Sequence, residues 1–298
     1  MRIVMDMQAA QGESRRRGIG RYTMGLAKAI ARNAGPHEIW LVLNAHFSES
    51  IEALRSEFTG LVDFNRIRVF ETPTPCFEII PENKTRARIA EKLREAFLAS
   101  LNPDIVHVFS LFEGYIDNTV SSIKAFESHP LTTVTLYDLI PLTNTKAHLT
   151  SPQHLAWYFQ KINSLRRADH LLAISEYSRS EAINLLQIPE STVSIVGGAV
   201  DEVYQPLLPT ETLQQEVWGR HGINRPFLLS IHSGSDPNKN AAGLIQSYNI
   251  LPRELQDQYQ LVLAGNISET ERAKLLTLFY FDTSQTVFLV IRGRVSEN

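Results

Sequence analysis

Short apolar runs alternate with amphipathic stretches from the first residues onward. Residues 3–5, 39–43, 67–70, 105–109, 132–136, 170–174 and 193–196 have strand length and are rich in apolar or β-branched residues. Between them, helical spacing marks residues 22–33, with Tyr22, Leu26 and Ile30 on one face, and residues 50–58, 87–101 and 151–167. The first helix stops at Gly35-Pro36 and the third at Asn102-Pro103, while the fourth opens on a capping Ser151 and a proline at its first position. Ser178 and Glu181 fit a capping box that opens a helix to about residue 186. Strands apolar on both faces, alternating with helices, predict an α/β fold with a doubly wound parallel sheet.

Periodicity fades after Gly197-Gly198 and restarts near residue 213. Residues 1–198 therefore read as a first Rossmann-like domain, 199–212 as a linker and 213–298 as a second Rossmann-like domain. The second begins with a helix over 213–220 and a strand over 227–231. A Gly/Ser/Asp/Pro loop follows, then a helix over 241–251 with Leu244, Ile245, Tyr248 and Leu251 on one face. Strands at 260–264 and 287–291 bring its total to three, against the roughly five or six of a complete doubly wound half. The second domain reads as incomplete, which predicts a bare sheet edge and exposed apolar surface after Leu261.

Composition narrows the function classes. The chain has 298 residues, 43% of them hydrophobic and 20% charged, with a formal net charge of −3, so nucleic-acid binding is not expected as its main activity. A single cysteine, Cys76, excludes an internal disulfide and cysteine-built zinc sites, and fits a reducing, cytoplasmic compartment. The amino end starts as a strand without the apolar core of a signal peptide, and no run approaches ~18 apolar residues. Peripheral membrane association stays open, as does oligomeric state.

Candidate chemistry collects at the carboxyl ends of the strands, where parallel sheets receive ligands. Residues 11–21 read as a flexible basic loop in which Gly18 and Gly20 permit close backbone approach and Arg21 supplies charge for an anion; the competing reading is a solvated loop, chiefly for Arg15, Arg16 and Arg17. Gly18-Ile19-Gly20 is no dinucleotide fingerprint, because it lies far beyond the strand and Thr23 stands where the third glycine belongs. Tyr137 and Asp138 end an apolar strand, either to pack on and hydrogen-bond a sugar or to form a turn before Pro141. Glu176 and Arg179 are left over once the capping box is accounted for. Lys239 and Asn240, at the start of the 241–251 helix, offer charge and helix dipole to a diphosphate, or form an ordinary turn with a solvated lysine. His107 and His232 read as structural histidines, since no metal-ligand spacing occurs. Neither a nucleophile elbow nor a P-loop is present.

In order, Gly18-x-Gly20-Arg21-Tyr22, then Tyr137-Asp138-Leu139-Ile140-Pro141-Leu142, then Ile174-Ser175-Glu176-x-Ser178-Arg179, then Gly234-x-Asp236-Pro237-x-Lys239-Asn240 resemble the bacterial retaining glycosyltransferases of family four. The resemblance implies the GT-B fold, two Rossmann-like domains facing across a cleft, with acceptor on the first and nucleotide sugar on the second. It implies hexosyl transfer, mannose-type favoured, from GDP-mannose or a UDP-sugar to a glycan or lipid-linked acceptor in lipopolysaccharide or other cell-surface polysaccharide synthesis, without a cofactor or metal. Lys239, Asp138 and Tyr137 would be catalytic; Gly18, Gly20, Arg21, Glu176, Arg179, Gly234, Ser235 and Asn240 would bind donor or acceptor. Tyr137 stands where the family usually has histidine, Gly234-Ser235 where many members have arginine, and the family's glutamate pair would lie beyond Asn298. Two other readings compete: an inactive shortened form or acceptor-binding module, and a nucleotide-sugar epimerase.

Overall fold

A computed structural model describes residues 1–126, 130–200, 208, 210–232, 239–265, 267–279 and 286–290. The chain divides into two compact units, Met1–Tyr204 and Gln205–Asn298. Of the expected linker at 199–212, most lies outside the described residues.

The first unit runs β1 (Arg2–Asp6), α1 (Gly18–Arg32), β2 (Glu38–Asn44), α2 (Ser48–Glu57), β3 (Ile67–Phe70), α3 (Lys84–Ser100), β4 (Ile105–Val108), β5 (Leu131–Leu136), α4 (Ile140–Thr143), α5 (Thr145–His148), α6 (Pro152–Leu165), β6 (His170–Ala173), α7 (Glu176–Leu186) and β7 (Val193–Ile195). Its sheet is parallel in the order β3-β2-β1-β4-β5-β6-β7. Successive side chains point to opposite faces, and each face has its own core. Met5, Leu41, Leu43 and Phe109 pack with Ala27 and Phe58 in one, while Val4, Val106, Val134 and Leu136 pack with Leu98, Ile162 and Ala182 in the other.

Two local expectations are corrected. Residues 11–17 do not form a flexible loop leading to a helix at Tyr22. Short 3-10 turns at Gln8–Ala10 and Glu13–Arg16 lead directly into α1 at Gly18. Gly20 makes this possible, since a methyl there would sit 2.4 Å from the Arg15 carbonyl oxygen; the bare backbone lets the first helical turn rest on the loop. The cap of α7 is Ser175 and not Ser178: the Ser175 hydroxyl accepts from the Ser178 N–H at 3.1 Å. That frees Ser178 to donate to the Tyr137 carbonyl at 2.5 Å and Glu181 to accept from the Leu139 N–H at 3.1 Å. Both side chains tie α7 to the end of β5.

The second unit holds α8 (Glu211–His221), β8 (Phe227–His232), α9 (Ala241–Asn249), α10 (Arg253–Gln258), β9 (Gln260–Gly265), α11 (Glu269–Leu276) and β10 (Thr286–Val290), with its parallel sheet in the order β10-β9-β8. Among the described residues after Leu261, no large apolar side chain is exposed. Leu261, Val262 and Leu263 are fully buried because β9 is the central strand. Exposure falls on the edge strand β8 instead, where Leu229 is 54% and Ile231 68% exposed.

A buried ion pair ties α3 to the carboxyl end of β1. Arg94 on α3 is 0% exposed, and its Nε donates to Asp6 Oδ2 at 2.8 Å, with Nη2 on the same oxygen. Its Nη1 donates to the Ser122 carbonyl at 3.2 Å. Removing one partner strands a buried charge, so Arg94→Ala should cost about 3–5 kcal/mol in urea denaturation.

Candidate functional site at the carboxyl edge of the first sheet

The chain leaves β1 toward β2 on one side and reaches β4 on the other, so the strand order reverses between β1 and β4. Open parallel sheets place ligands at such a reversal, beyond the carboxyl ends of the strands. Two segments meet there: residues 7–17 after β1 and the long connection 109–126 after β4.

Polar groups in the interior hold that connection. Gln8 donates to the Val120 carbonyl at 2.7 Å and accepts from the Val120 N–H at 2.9 Å. Asn44 donates to the Asn118 carbonyl at 3.0 Å, and Lys161, 2% exposed, donates to the Ser121 carbonyl at 2.5 Å. Asp117 then joins the two segments, accepting from the Glu13 N–H at 2.7 Å and the Thr119 N–H at 3.0 Å. The contact is close enough that a methyl on Gly12 would sit 2.4 Å from Asp117 Oδ2. Gly114, at φ +89°, would bring a methyl within 2.2 Å of the Thr119 carbonyl oxygen.

Glu113 lies at the centre of this junction. It is 7% exposed, and its Oε1 accepts from Ser14 Oγ at 2.7 Å and Ser110 Oγ at 2.8 Å. Burial pushes its pKa up to about 7; the two hydroxyls and Arg17 oppose that rise, while Asp117 adds to it. The sequence reading passed over this residue. Its available signal was a glutamate followed by glycine just past an apolar strand, Phe109 to Gly114, at the same sheet edge as the motifs it did find.

Above Glu113, α1 begins without a side-chain cap, which leaves its first N–H groups and positive dipole end uncapped. Arg16, Arg17, Gly18 and Arg21 are exposed around it. Arg15 pairs with Glu49 at 3.4 Å. Such an end suits an anion.

A model of glycosyltransferase family 4 matches residues 16–203, more than half of the sequence. The chain belongs to glycosyltransferase family 4. It is 31% identical, over 97% of its length, to the serotype-specific mannosyltransferase WbdA of Escherichia coli, and 25% identical over 83% of its length to O-antigen chain mannosyltransferase B of the same organism. The chain covers 35% of that WbdA and 60% of mannosyltransferase B. Among solved structures, Anabaena HepE in complex with UDP and glucose superposes with a TM-score of 0.58 at 15% identity, covering 98% of this chain and 70% of that one. The architecture is GT-B: two units, each built on a parallel sheet.

In this family 4 chain, the first unit gathers Gly18, Gly20, Arg21 and Tyr137. Tyr137 packs edge-on against Tyr22 with ring centroids 5.5 Å apart, and its hydroxyl donates to the Ile19 carbonyl at 3.4 Å. Burial raises its pKa further above the ordinary phenol value, so at neutral pH it holds α1 in place as a neutral group. Asp138 is exposed just beyond it. One carboxylate oxygen accepts from the Ile140 N–H at 3.2 Å, forming a turn.

Glu176 and Arg179 serve each other. They pair at 3.0 Å, and Arg179 also reaches Glu190 and the Val193 carbonyl, which anchors α7 to the start of β7. His107 is the expected structural histidine: its ring nitrogens lie 2.7 and 3.0 Å from the Thr133 and Thr135 hydroxyls, and burial lowers its pKa to about 4.

In the second unit, Lys239 is exposed beside α9. Asn240, at φ +46°, accepts from the Gly243 N–H at 3.2 Å, so its side chain is spent on capping α9. Gly234 and Ser235 lie outside the described residues. Among the described residues, no group of three His, Cys, Asp or Glu side chains is placed to hold a metal ion.

The two glycines of the family motif should respond oppositely to alanine. Around Gly18 a methyl meets nothing within 4 Å, so Gly18→Ala should stabilise by about 0.4–1 kcal/mol through the unfolded chain. Gly20→Ala must displace the Arg15 backbone and should destabilise by about 1–3 kcal/mol. Urea denaturation of both variants measures the contrast.

Proposed function

We propose that this chain transfers a hexosyl residue, mannose-type favoured, from a nucleotide sugar to a glycan or lipid-linked acceptor, with retained anomeric configuration, in O-antigen or related cell-surface polysaccharide synthesis. The observation that carries the reading is the 31% identity to an E. coli mannosyltransferase across nearly the whole of this chain. GDP-mannose is the favoured donor because the named relatives are mannosyltransferases; a UDP-sugar is the competing one, favoured by the UDP and glucose bound in HepE. No metal and no cofactor take part in the proposed reaction.

In this reading residues 1–198 face the acceptor, residues 213–298 hold the donor and residues 199–212 link them. Retaining transfer asks for a stabilised diphosphate leaving group more than for a strong base. Lys239 supplies a full positive charge for it, and the amino end of α9 supplies backbone N–H groups and dipole. The uncapped start of α1, with Arg21 and the neighbouring arginines, meets a phosphate or an anionic acceptor from the first unit. Asp138 keeps one carboxylate oxygen for sugar hydroxyls, and Tyr137 holds the wall behind it. No described helix is long and apolar enough to cross a membrane. In this reading a lipid-linked acceptor is met at the cytoplasmic face through peripheral contact.

A thermal-shift series with GDP, UDP, GDP-mannose and UDP-glucose tests the reading first. Saturation at ~100 times Kd should stabilise the native state by about 2.7 kcal/mol, and the nucleotide that does so names the donor base. Absence of any shift overturns the donor assignment. Lys239→Ala should then lower sugar transfer by roughly a hundredfold or more with little change in stability, as measured by release of the nucleoside diphosphate.

A further inference from the structure

Glu113 is a buried carboxylate bridging the two segments that meet at the strand-order reversal, and none of the four family motifs includes it. Its Oε1 takes hydrogen bonds from Ser14, on the turn after β1, and from Ser110, on the connection after β4. Ser14 sits in the middle of the Glu13–Arg16 turn, which is followed at once by Arg17 and the uncapped end of α1. Holding Ser14 therefore holds the arginines. The backbone around it has no slack, because Gly12 lies against Asp117 and Gly20 against Arg15.

We infer that Glu113 is a positioning residue: through Ser14 it fixes the cationic turn at residues 12–17 and the amino end of α1 in the arrangement that receives an anionic ligand. The ligand class, a nucleoside diphosphate or its sugar ester, rests on the function proposed above. The positioning role rests on the geometry alone.

The proton matters because an ionised carboxylate accepts from both serines, whereas the protonated acid must give up part of that capacity. The groups facing Glu113 are Ser14 and Arg17 from the turn after β1, Ser110 and Asp117 from the connection after β4, and Tyr137 from the end of β5. Arg17 is the cation that favours the ionised form; Asp117 opposes it. With its pKa raised to about 7, the clamp tightens as pH rises through neutrality.

Stability runs the other way. The folded pKa exceeds the unfolded one, so this group's contribution to global stability is present below about 4.5 and is lost as pH rises to about 7. A residue kept for stability alone would not be placed so.

Hydrogen exchange of the full 298-residue chain at pH 6 and pH 8, corrected for intrinsic rates, tests this directly. In an opening that frees Ser14 while Glu113 stays buried, the ionised form loses an acceptor bond, so the wild-type segment at residues 11–21 should be better protected at pH 8. Glu113→Gln should exchange there roughly tenfold faster at pH 8, the factor a buried hydrogen bond to a charged group is worth, while its melting temperature at pH 8 stays equal or rises. Glu113→Asp should recover part of the protection. Unchanged exchange in Glu113→Gln overturns the inference, and so does a fall in melting temperature with all segments loosened together. Ser14→Ala, which removes the bond from the other end, should reproduce the local loosening; protection equal to wild type there also overturns it. Titration with GDP and UDP adds the ligand arm: Kd for the nucleotide that binds should rise roughly tenfold in Glu113→Gln. Wild-type protein that binds neither nucleotide defeats the donor reading, and the exchange data still decide the role of Glu113.

Discussion

The first unit depends on how it buries the connection that follows β4. Residues 109–126 cross the carboxyl edge with no helix or strand of their own, and their backbone N–H and C=O groups need partners in a nearly dry place. Charged and amide side chains provide them. Arg94 meets the Ser122 carbonyl, Lys161 the Ser121 carbonyl, Gln8 both polar groups of Val120, and Asn44 the Asn118 carbonyl. Each of these donors is itself buried, and desolvation lowers the pKa of Lys161 even with Glu91 beside it. An apolar interior would be more stable per residue, but it could not fix an irregular backbone. The charges trade stability for position.

Position is what the edge requires. The Asp117 carboxylate and the Glu113 carboxylate each tie the 109–126 connection to the turn after β1, one through a backbone N–H and one through a hydroxyl. Gly12, Gly20 and Gly114 let the backbones approach until no side chain fits. Remote groups such as Arg94 on α3 therefore bear on where the 109–126 connection sits. The chain of contact runs from Arg94 through Asp6 and Gln8 to Val120, and each link is a hydrogen bond.

Much of this architecture was legible in the sequence, and the reason is period. Strands such as residues 105–108 are short, mostly apolar runs, and helices such as α6 carry a capping serine and proline that act locally. The four motifs were also visible because each is contiguous. Boundaries set by tertiary contact were not: α1 starts at Gly18 because Gly20 fits against Arg15, and α7 is capped by Ser175 because Ser178 is drawn to Tyr137. Glu113 was invisible for the same reason. Its partners Ser14 and Ser110 flank β1 and β4, and nothing about Glu113-Gly114 read in isolation reveals that two hydroxyls converge on it. Asp6 and Arg94 likewise carry no local signal of their pairing.

The electrostatics of the edge connect these parts. Arg17 helps hold Glu113 ionised, yet it is exposed at the mouth of α1, where an incoming phosphate would compete for it. A ligand that draws Arg17 outward removes part of the field opposing protonation and adds negative charge nearby, and both effects raise the carboxyl pKa further. Two couplings of opposite sign therefore meet at Glu113: the anion's charge favours proton uptake, while the clamp on Ser14 that arranges its site needs the ionised form. Attraction of an anion and arrangement of the turn thus pull on Glu113 in opposite directions, with the balance centred near neutrality. A glutamine in the same place would hold the turn more weakly, and it could not make that grip depend on charge at the mouth of the helix.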